Sequence, residues 1–223
     1  MQVFNDYHAL PEDIKGSTVV IGNFDGLHIG HRMLIELARK KSKEAESKLL
    51  ILTFNPHPRR YFMPDAPPFL LTPDKQHQEL LAGTQADYAL YLNFDQDLAH
   101  LTADGFMDEI LKGALGAKQI VIGDDFCFGK GRTGNIDTLR QAGFHVTALS
   151  KMADHAGRRY SSSRIRDAIS GGDMHKAEQI MGRPFEIRGK VIHGDKRGRE
   201  LGYPTANIRL GDYIHPAYGV YAC

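Results

Sequence analysis

The chain has 223 residues, of which 28 are Lys or Arg and 27 are Asp or Glu, so its formal net charge is +1 at pH 7. With 42% hydrophobic and 25% charged residues, the composition is typical of a folded globular protein and excludes a disordered, collagen-like or membrane chain. Because this charge produces no large field of one sign, we expect neither nucleic acid nor a membrane as a partner.

Cysteine content indicates the compartment. The chain has two cysteines, Cys127 and Cys223, whereas a secreted disulfide scaffold needs several. No signal-like segment opens the sequence, and no apolar stretch approaches the ~18 residues of a membrane span. We therefore expect a cytoplasmic protein. Nothing in the sequence specifies an oligomeric state.

Five short runs rich in Val, Ile and Leu predict strands at residues 17–24, 48–54, 87–94, 118–126 and 144–150. Helical spacing of apolar residues predicts helices at 31–46, 73–82, 103–115 and 135–142. Thr72, followed by Pro73, and Thr102 are the expected N-caps of the second and third helices. Two further short helices are expected at 161–170 and 172–182.

Strands that alternate with helices predict an α/β fold with a parallel sheet covered on both faces. In such folds ligands bind beyond the carboxyl ends of the strands. Three segments that directly follow strands, 22–31, 53–62 and 123–134, should therefore meet at one crevice. After Gly182, Arg183 and Pro184 the pattern returns to strands and turns, which indicates a second unit.

The first strand-to-helix turn carries the sequence GNFDGLHIGH, residues 22–31. Backbone amides and the positive end of the helix dipole form an anion site there. His28 and His31 are three residues apart, so both imidazoles can reach one phosphate, and Gly30 leaves room for it. Donors fixed around a phosphoryl group are what displacement at a nucleotide α-phosphate requires. Structural capping by the histidines, or a zinc site, is the alternative.

A second phosphate-binding candidate is the run Ser161-Ser162-Ser163-Arg164-Ile165-Arg166. Hydroxyls at a helix start and two planar guanidinium groups can bind a triphosphate. Taken alone, the run could equally be a serine cap followed by solvated arginines.

Two segments are candidates for a pocket wall. TFNPHPRRYF, residues 53–62, has two prolines around His57, and we expect a stiff, extended segment. GDDFCFGKGRTG, residues 123–134, carries Phe126 and Phe128, which could stack on a planar ring or could belong to the core. Its G-x-G-x-x-G spacing also fits a dinucleotide fingerprint, but the first strand-to-helix turn, where that fingerprint normally lies, is occupied by the histidine motif. No P-loop sequence is present.

The motifs GNFDGLHIGH, TFNPHP, GDDFCFGKGRTG and YSSSRIR, in this order, resemble the bacterial bifunctional riboflavin kinase/FAD synthetase family. The segment GKVIHGDKRGRELGYPTAN, residues 189–207, is similar to the beginning of that family's kinase part. The resemblance implies a parallel-sheet nucleotidyltransferase domain of the HxGH, Rossmann-like type at residues 1–183. The start of a small β-barrel, the riboflavin kinase part, would follow at residues 184–223.

The resemblance further implies transfer of AMP from ATP to FMN with Mg²⁺, giving FAD and pyrophosphate. The catalytic residues would be His28, His31 and Arg164. Residues that bind ATP would be Gly22, Asn23, Phe24, Asp25, Gly26, Gly30, Ser161, Ser162, Ser163 and Arg166. Residues that bind the flavin would be Phe54, Asn55, His57, Pro58, Phe62, Asp124, Asp125, Phe126 and Phe128.

In the kinase part the resemblance implies roles for Gly194, Lys196, Pro204, Thr205 and Asn207, the last two as Mg²⁺ ligands. Tyr160 stands where the family's serine motif usually begins with Ile. The sequence ends at Cys223, before the kinase's catalytic glutamate, so we expect riboflavin kinase activity to be lost.

Two other functions stay open. A related adenylyl or cytidylyl transferase could share the histidine motif and use an acceptor other than a flavin. A non-catalytic flavin or nucleotide carrier would bind these ligands without releasing pyrophosphate.

Overall fold

A computed structural model of the chain describes residues 1–150, 152–154, 156–192 and 205–222. Its main element is one parallel sheet of six strands in the order β1-β4-β3-β2-β5-β6. The strands are β1 Gln2–Phe4, β2 Thr18–Ile21, β3 Leu49–Asn55, β4 Tyr88–Asn93, β5 Gln119–Gly123 and β6 His145–Leu149. The predicted α/β class with a parallel sheet is confirmed.

Helices connect the strands and cover the sheet. They are α1 Ile29–Glu44, α2 Pro58–Phe62, α3 Asp74–Ala82, α4 Gln96–His100, α5 Ala103–Gly105, α6 Ile136–Gln141, α7 Ser162–Ser170 and α8 Met174–Met181. Helix α5 continues as a π-helical segment, Phe106–Ala114, and 3-10 turns lie at Glu12–Ile14 and Lys130–Arg132. Among the residues described above, no helix is both long and apolar enough to cross a membrane.

Alternation along the strands explains why both faces are covered. In β3, Leu50 and Leu52 join a core with the π-helical segment, whereas Leu49 and Ile51 join a second core with α1. Successive side chains of a strand point to opposite faces, so a continuously apolar strand needs helices on both sides. The unbroken hydrophobicity of the predicted strands indicated this burial.

The chain order creates a switch point in the middle of the sheet. From β2 the chain adds β3 on one side, and it later adds β5 on the other side of β2. The connections that leave the carboxyl ends of β2 and β5 therefore run in opposite directions and open a crevice.

Residues near the C-terminus pack against α7, α8 and the segment that precedes α3. Helices α7 and α8 form a third core with Leu71 and Ile214. Leu70 exchanges backbone hydrogen bonds with Asp212 and Ile214, at 3.1 and 2.9 Å. Two short strands, β7 Val191–Ile192 and β8 Asn207–Ile208, pair antiparallel, as expected for the start of a barrel.

Two local predictions were wrong. Thr72 does not cap α3, because its hydroxyl accepts a hydrogen bond from the backbone of Gly26, at 2.9 Å, and Pro73 is the N-cap. Part of the segment expected to be extended, 53–62, is helix α2, which His57 caps by accepting a hydrogen bond from the backbone of Arg59. The cap predicted at Thr102 is confirmed by its 3.0 Å bond from the backbone of Gly105.

Other differences concern short elements. The strand predicted at 118–126 ends at Gly123, where the chain turns. Strand β1 has three residues and helix α4 has five, and neither was predicted. Elements this short contain too few apolar residues to show a period.

Candidate active site

A cavity of about 240 Å³ lies at the switch point, and we call it the histidine cavity. Its walls come from the turn after β2, the start of α1, the turn after β5, the end of β6 and the start of α7. They consist of Ile21, Gly22, Phe24, His28, Gly30, His31, Leu34, Gly123, Asp124, Asp125, Phe126, Leu149, Ser150, Met152, Arg159, Tyr160, Ser161 and Ser162. The cavity therefore lies beyond the carboxyl ends of β2, β5 and β6, where ligands bind in folds of this class.

His28 is both a cavity wall and the N-cap of α1. Its Nδ1 accepts a hydrogen bond from the backbone N–H of His31 at 3.3 Å. Because Nδ1 accepts, the proton of the neutral ring lies on Nε2, which is then a donor for a ligand. The two imidazoles stack with centroids 3.6 Å apart and planes 18° from parallel. A Cβ at Gly30 would lie 3.2 Å from Cε1 of His28, so a side chain there would crowd the ring.

Both imidazoles are neutral near pH 7 in the ligand-free protein. Burial first, and then the charges of Arg159, Arg32 and Arg166, lower the pKa of His28 to about 4. Burial and the neighbouring His28 hold the pKa of His31 well below 6.5. Nδ1 of His31 is buried and has no hydrogen-bond partner among the described residues. A polyanion in this cavity would raise both pKa values.

The start of α7 forms another wall. Ser161 caps the helix by accepting a hydrogen bond from the backbone of Arg164 at 3.3 Å. The hydroxyl of Ser162 donates to the backbone oxygen of Asp25 at 2.9 Å. The structure therefore brings the histidine pair and two of the three predicted serines to one cavity. Ser163 is exposed and does not line it.

The two predicted arginines lie elsewhere. Arg164 donates to the backbone oxygen of Arg158 at 2.9 Å, to that of Arg159 and to the carboxylate of Asp154 at 3.0 Å. These bonds hold Asp154, Arg158 and Arg159 together, and Arg164 does not line the histidine cavity. Arg166 pairs with the buried Asp25 at 2.6 Å, and neither side chain lines this cavity.

Arg159 is a cavity residue that sequence reasoning missed. It lines the histidine cavity and forms an ion pair with Asp125 at 2.5 Å. After burial, its charge is the first cause that lowers the pKa of His28, which lines the same cavity. Its position two residues before the serine run was the available signal.

A second cavity, of about 790 Å³, is lined mainly by aromatic and apolar side chains, and we call it the aromatic cavity. This volume lies in the range of small-molecule sites. The predicted flavin-binding residues among its walls are Phe54, Pro58, Phe62, Asp125, Phe126 and Phe128. Tyr61, Cys127, Lys130 and Arg132 also line this cavity and lie in the two predicted wall segments, although they were not among the predicted flavin residues. Sequence reasoning missed Phe94 and Leu98. Phe94 follows β4 directly, and the strand-end rule could have found it.

Phe126 and Phe128 both line the aromatic cavity, and Phe128 also belongs to the core. The rings of Phe126 and Phe128 stack with centroids 5.7 Å apart. Phe128 is 6% exposed and contacts Phe106 in the core, with centroids 5.3 Å apart. A wall ring that the core fixes from behind offers a rigid face to a planar ligand.

The two cavities adjoin each other. Gly22, Asp125 and Phe126 line both of them. A ligand in one cavity can therefore contact a ligand in the other at this junction. A Cβ at Gly22 would lie 3.0 Å from the Phe24 ring, so a side chain there would crowd the ring.

Three predicted flavin residues do not line the aromatic cavity. Asp124 lines the histidine cavity. Asn55 and His57 line a small cavity of about 30 Å³, which adjoins the aromatic cavity at Asn23 and Phe54. Burial is the first cause that lowers the pKa of His57, to about 4.

In the kinase part, Gly194, Lys196 and Pro204 lie outside the described residues. Thr205 and Asn207 are described, and both are exposed. Asn207 pairs with Ile192 in the antiparallel strands.

Comparison with known proteins gives two family matches. A family described as FAD synthetase matches residues 10–164, and one described as riboflavin kinase matches residues 181–223.

Three bacterial relatives carry the name bifunctional riboflavin kinase/FMN adenylyltransferase. The Escherichia coli (strain K12) protein is 37% identical over 227 residues, covering 100% of this chain and 72% of the relative. The Pseudomonas fluorescens protein is 38% identical over 224 residues, covering 99% and 72%. The Bacillus subtilis (strain 168) protein is 36% identical over 231 residues, covering 100% and 71%.

A solved structure shares the fold. It is the crystal structure of a protein named a macrolide-efflux protein from Streptococcus pneumoniae, with a TM-score of 0.86 and 32% sequence identity. The match covers 98% of this chain and 72% of that one.

Proposed function

The chain belongs to the bifunctional riboflavin kinase/FMN adenylyltransferase family, and from this premise we propose that it transfers AMP from ATP to FMN, giving FAD and pyrophosphate. One observation carries the proposal. The histidine pair and the capped start of α7 share a cavity, and this cavity adjoins an aromatic cavity large enough for a flavin.

The proposed chemistry is a displacement at phosphorus. A phosphate oxygen of FMN attacks the α-phosphorus of ATP, and a new P–O bond forms. The bond from this phosphorus to the oxygen that bridges to the β-phosphate breaks, and pyrophosphate leaves with that electron pair. The protein's task is to align the two nucleotides and to stabilise the negative charge that grows on the phosphoryl oxygens.

His28 and His31 meet this need as neutral donors. Nε2 of His28 carries a proton because Nδ1 is engaged in capping α1. The N-terminus of the 16-residue helix α1 adds its positive end of the dipole at the same place. The hydrogen bonds that these rings donate strengthen as negative charge develops on the phosphoryl oxygens.

In this proposal the histidine cavity holds the adenosine and phosphates of ATP. Arg159 and Ser161 would contact the phosphates, and Arg164 would act through the backbone of Arg158 and Arg159, to which it donates hydrogen bonds. The catalytic role of Arg164 and the ATP contacts of Asn23, Asp25, Gly26, Ser163 and Arg166 remain predictions.

The aromatic cavity would hold the isoalloxazine ring. Phe62 and Phe126 line this cavity, and stacked aromatic faces favour a planar tricyclic ligand. The FMN phosphate would then lie at the junction, beside Gly22. Contacts of the flavin with Asn55, His57 and Asp124 remain predictions.

Mg²⁺ would fit the histidine cavity through oxygen ligands. Asp124 and Asp125 line it, and Mg²⁺ on a nucleotide needs only one or two carboxylates besides the phosphates and water. The ion would neutralise charge on the departing pyrophosphate. In the kinase part, Thr205 and Asn207 remain the predicted ligands.

We also propose the division into a unit at 1–183 and a unit at 184–223. In support of this boundary, α8 ends at Met181 and Gly182 adopts a left-handed conformation with φ of 68°. The expected loss of riboflavin kinase activity stays a prediction that FMN formation from riboflavin and ATP tests. Cytoplasmic location and the absence of nucleic-acid or membrane partners also stay predictions.

Incubation with ATP, Mg²⁺ and FMN, followed by chromatography, tests the proposed function. We expect equal amounts of FAD and pyrophosphate. Parallel reactions replace FMN with riboflavin or with pantetheine phosphate. Product from pantetheine phosphate alone would identify a different transferase, and stoichiometric binding without pyrophosphate would identify a carrier.

A further inference from the structure

Asp25 stands inside the histidine motif but does not line the histidine cavity. It is 3% exposed, and Oδ1 accepts hydrogen bonds from the backbone of Leu71 at 2.9 Å and of Thr72 at 3.0 Å. Its Oδ2 accepts a hydrogen bond from Nη2 of Arg166 at 2.6 Å. A buried carboxylate with this many donors is a fixed structural centre.

The turn that this carboxylate holds is strained. Phe24 and Leu27, on either side of it, have φ angles of 52° and 35°, in the left-handed region that residues with a Cβ avoid. Such a conformation persists only where the surroundings enforce it. Gly26 fits closely against the same partner segment, because a Cβ there would lie 2.6 Å from Cδ1 of Leu71.

Arg166 connects this turn to α7 and to residues 69–72. Its Nε donates to the backbone oxygen of Phe69 at 2.9 Å, and its guanidinium lies 5.5 Å from the centre of the Phe69 ring. The side chain is 14% exposed. From the same helix, Ser162 donates to the backbone oxygen of Asp25.

We infer that Asp25 and Arg166 form a positioning pair for AMP transfer, which fixes the strained turn so that His28 caps α1 and presents Nε2 to the α-phosphate. The inference rests on the proposed function. Arg166 then acts through the turn and does not bind the triphosphate, the role that the serine/arginine run predicts for it. Binding a phosphate would require Arg166 to leave a buried ion pair and strand Asp25 without its charge partner.

The first test compares Arg166→Gln with Arg159→Gln, a change at a guanidinium that lines the histidine cavity. For Arg166→Gln we expect kcat for FAD formation to fall roughly tenfold or more. The Kd for ATP and the Kd for AMP should change equally, and by less than about threefold. For Arg159→Gln we expect Kd for ATP to rise more than Kd for AMP. A selective loss of ATP affinity in Arg166→Gln would overturn the inference.

A double variant addresses folding. Asp25→Asn or Arg166→Gln alone leaves a buried charge without its partner, whereas the double variant leaves two amides that can hydrogen-bond. Because the pair acts as a unit, the double variant should lose no more kcat than the worse single variant. If the kcat loss of the double variant equals the product of the two single losses, the two residues have independent roles, and the inferred positioning pair is rejected.

A ligand-free measurement separates this inference from the proposed function. The ¹⁵N chemical shift of Nδ1 of His28 reports the hydrogen bond that it accepts from His31. We expect this signal to move in Arg166→Gln and to stay in place in Met63→Ala, a change at an exposed side chain that does not line the histidine cavity. An unmoved signal in Arg166→Gln would overturn the positioning role. Failure of the unmodified protein to form FAD would reject only the proposed function.

Discussion

The histidine and aromatic cavities share an edge but differ in chemistry. The histidine cavity is built from imidazoles, hydroxyls and the start of two helices, α1 and α7. The aromatic cavity is more than three times as large, at about 790 Å³ against 240 Å³, and phenylalanine and tyrosine rings dominate its walls. The junction carries Gly22, Asp125 and Phe126.

This difference separates transition-state stabilisation from substrate binding. Donors around a reacting phosphate affect turnover, because their contacts strengthen as charge develops. Contacts with a distant planar ring act equally on ground and transition states, and they change the affinity for the acceptor. Substitutions in the two cavities should therefore have different kinetic signatures.

The largest expected effect is at His28. His28→Ala should lower kcat for FAD formation by roughly 10²–10³, as loss of one positioned donor does elsewhere, and leave FMN affinity nearly unchanged. Steady-state kinetics and FMN titration measure the two quantities. A loss of FMN affinity of this size with an unchanged kcat would contradict the role assigned to His28.

His28→Asn is the matched control. Asn is a preferred N-cap, so it keeps the acceptor for the backbone of His31 while it removes the imidazole donor. We expect normal stability and low kcat. Recovery of full activity would mean that His28 matters only as a cap.

The next largest effect is expected on acidification, which should lower the free energy of unfolding because His28 is buried. The pKa of His28 is lowered to about 4 in the folded protein, against about 6.5 in the unfolded chain. The unfolded chain therefore binds more protons between these values, and the free energy of unfolding falls as pH drops from 6.5 toward 4, by at most about 1.4 kcal/mol per pH unit for this group.

Urea unfolding at pH 7, 6 and 5 measures this dependence. The slope in His28→Asn should be smaller than in the unmodified protein by the contribution of one histidine. Equal slopes would show that His28 titrates normally in the folded state.

An intermediate effect is expected at Arg159. Arg159→Gln should raise KM for ATP about tenfold or more, since a charged hydrogen bond to phosphate contributes roughly 1.5–3 kcal/mol. KM for FMN should change little. An unchanged KM for ATP would place the phosphates away from this wall, and Arg159→Lys would show whether charge alone suffices.

The smallest effect is expected in the aromatic cavity. Phe62 is 65% exposed, and Phe62→Ala should raise KM for FMN about fivefold, which corresponds to about 1 kcal/mol of ring stacking. Its neighbour Met63 is 51% exposed and does not line the cavity, so Met63→Ala is the control and should leave KM for FMN unchanged. Similar kinetics for the two variants would remove Phe62 from the flavin site.

Strong local signals in the sequence predicted much of the fold. Five of the six sheet strands follow from continuous apolar runs, and the long helix α1 follows from its spacing. Thr72 shows the limit of such reasoning, because Asp25 and Gly26, far away in sequence, bind its backbone and hydroxyl. Whether a residue caps a helix depends on the hydrogen-bond partners that the folded chain brings close to its side chain.

The candidate site shows the same division. His28, His31, Ser161 and Ser162 were predicted to meet, and they line one cavity. Arg166 has the residue type of a phosphate ligand, but a buried carboxylate occupies its guanidinium. Arg159 has the same side chain and lies at the cavity wall.

By itself the sequence determined the α/β class, the family and the residue types needed for phosphate chemistry, because these depend on periodicity and on motifs of neighbouring residues. Only the tertiary structure decided which arginine lines the histidine cavity, which ring nitrogen of His28 carries the proton and which rings line the aromatic cavity. Those properties depend on contacts between distant segments, and burial and pairing there change the chemistry of identical side chains.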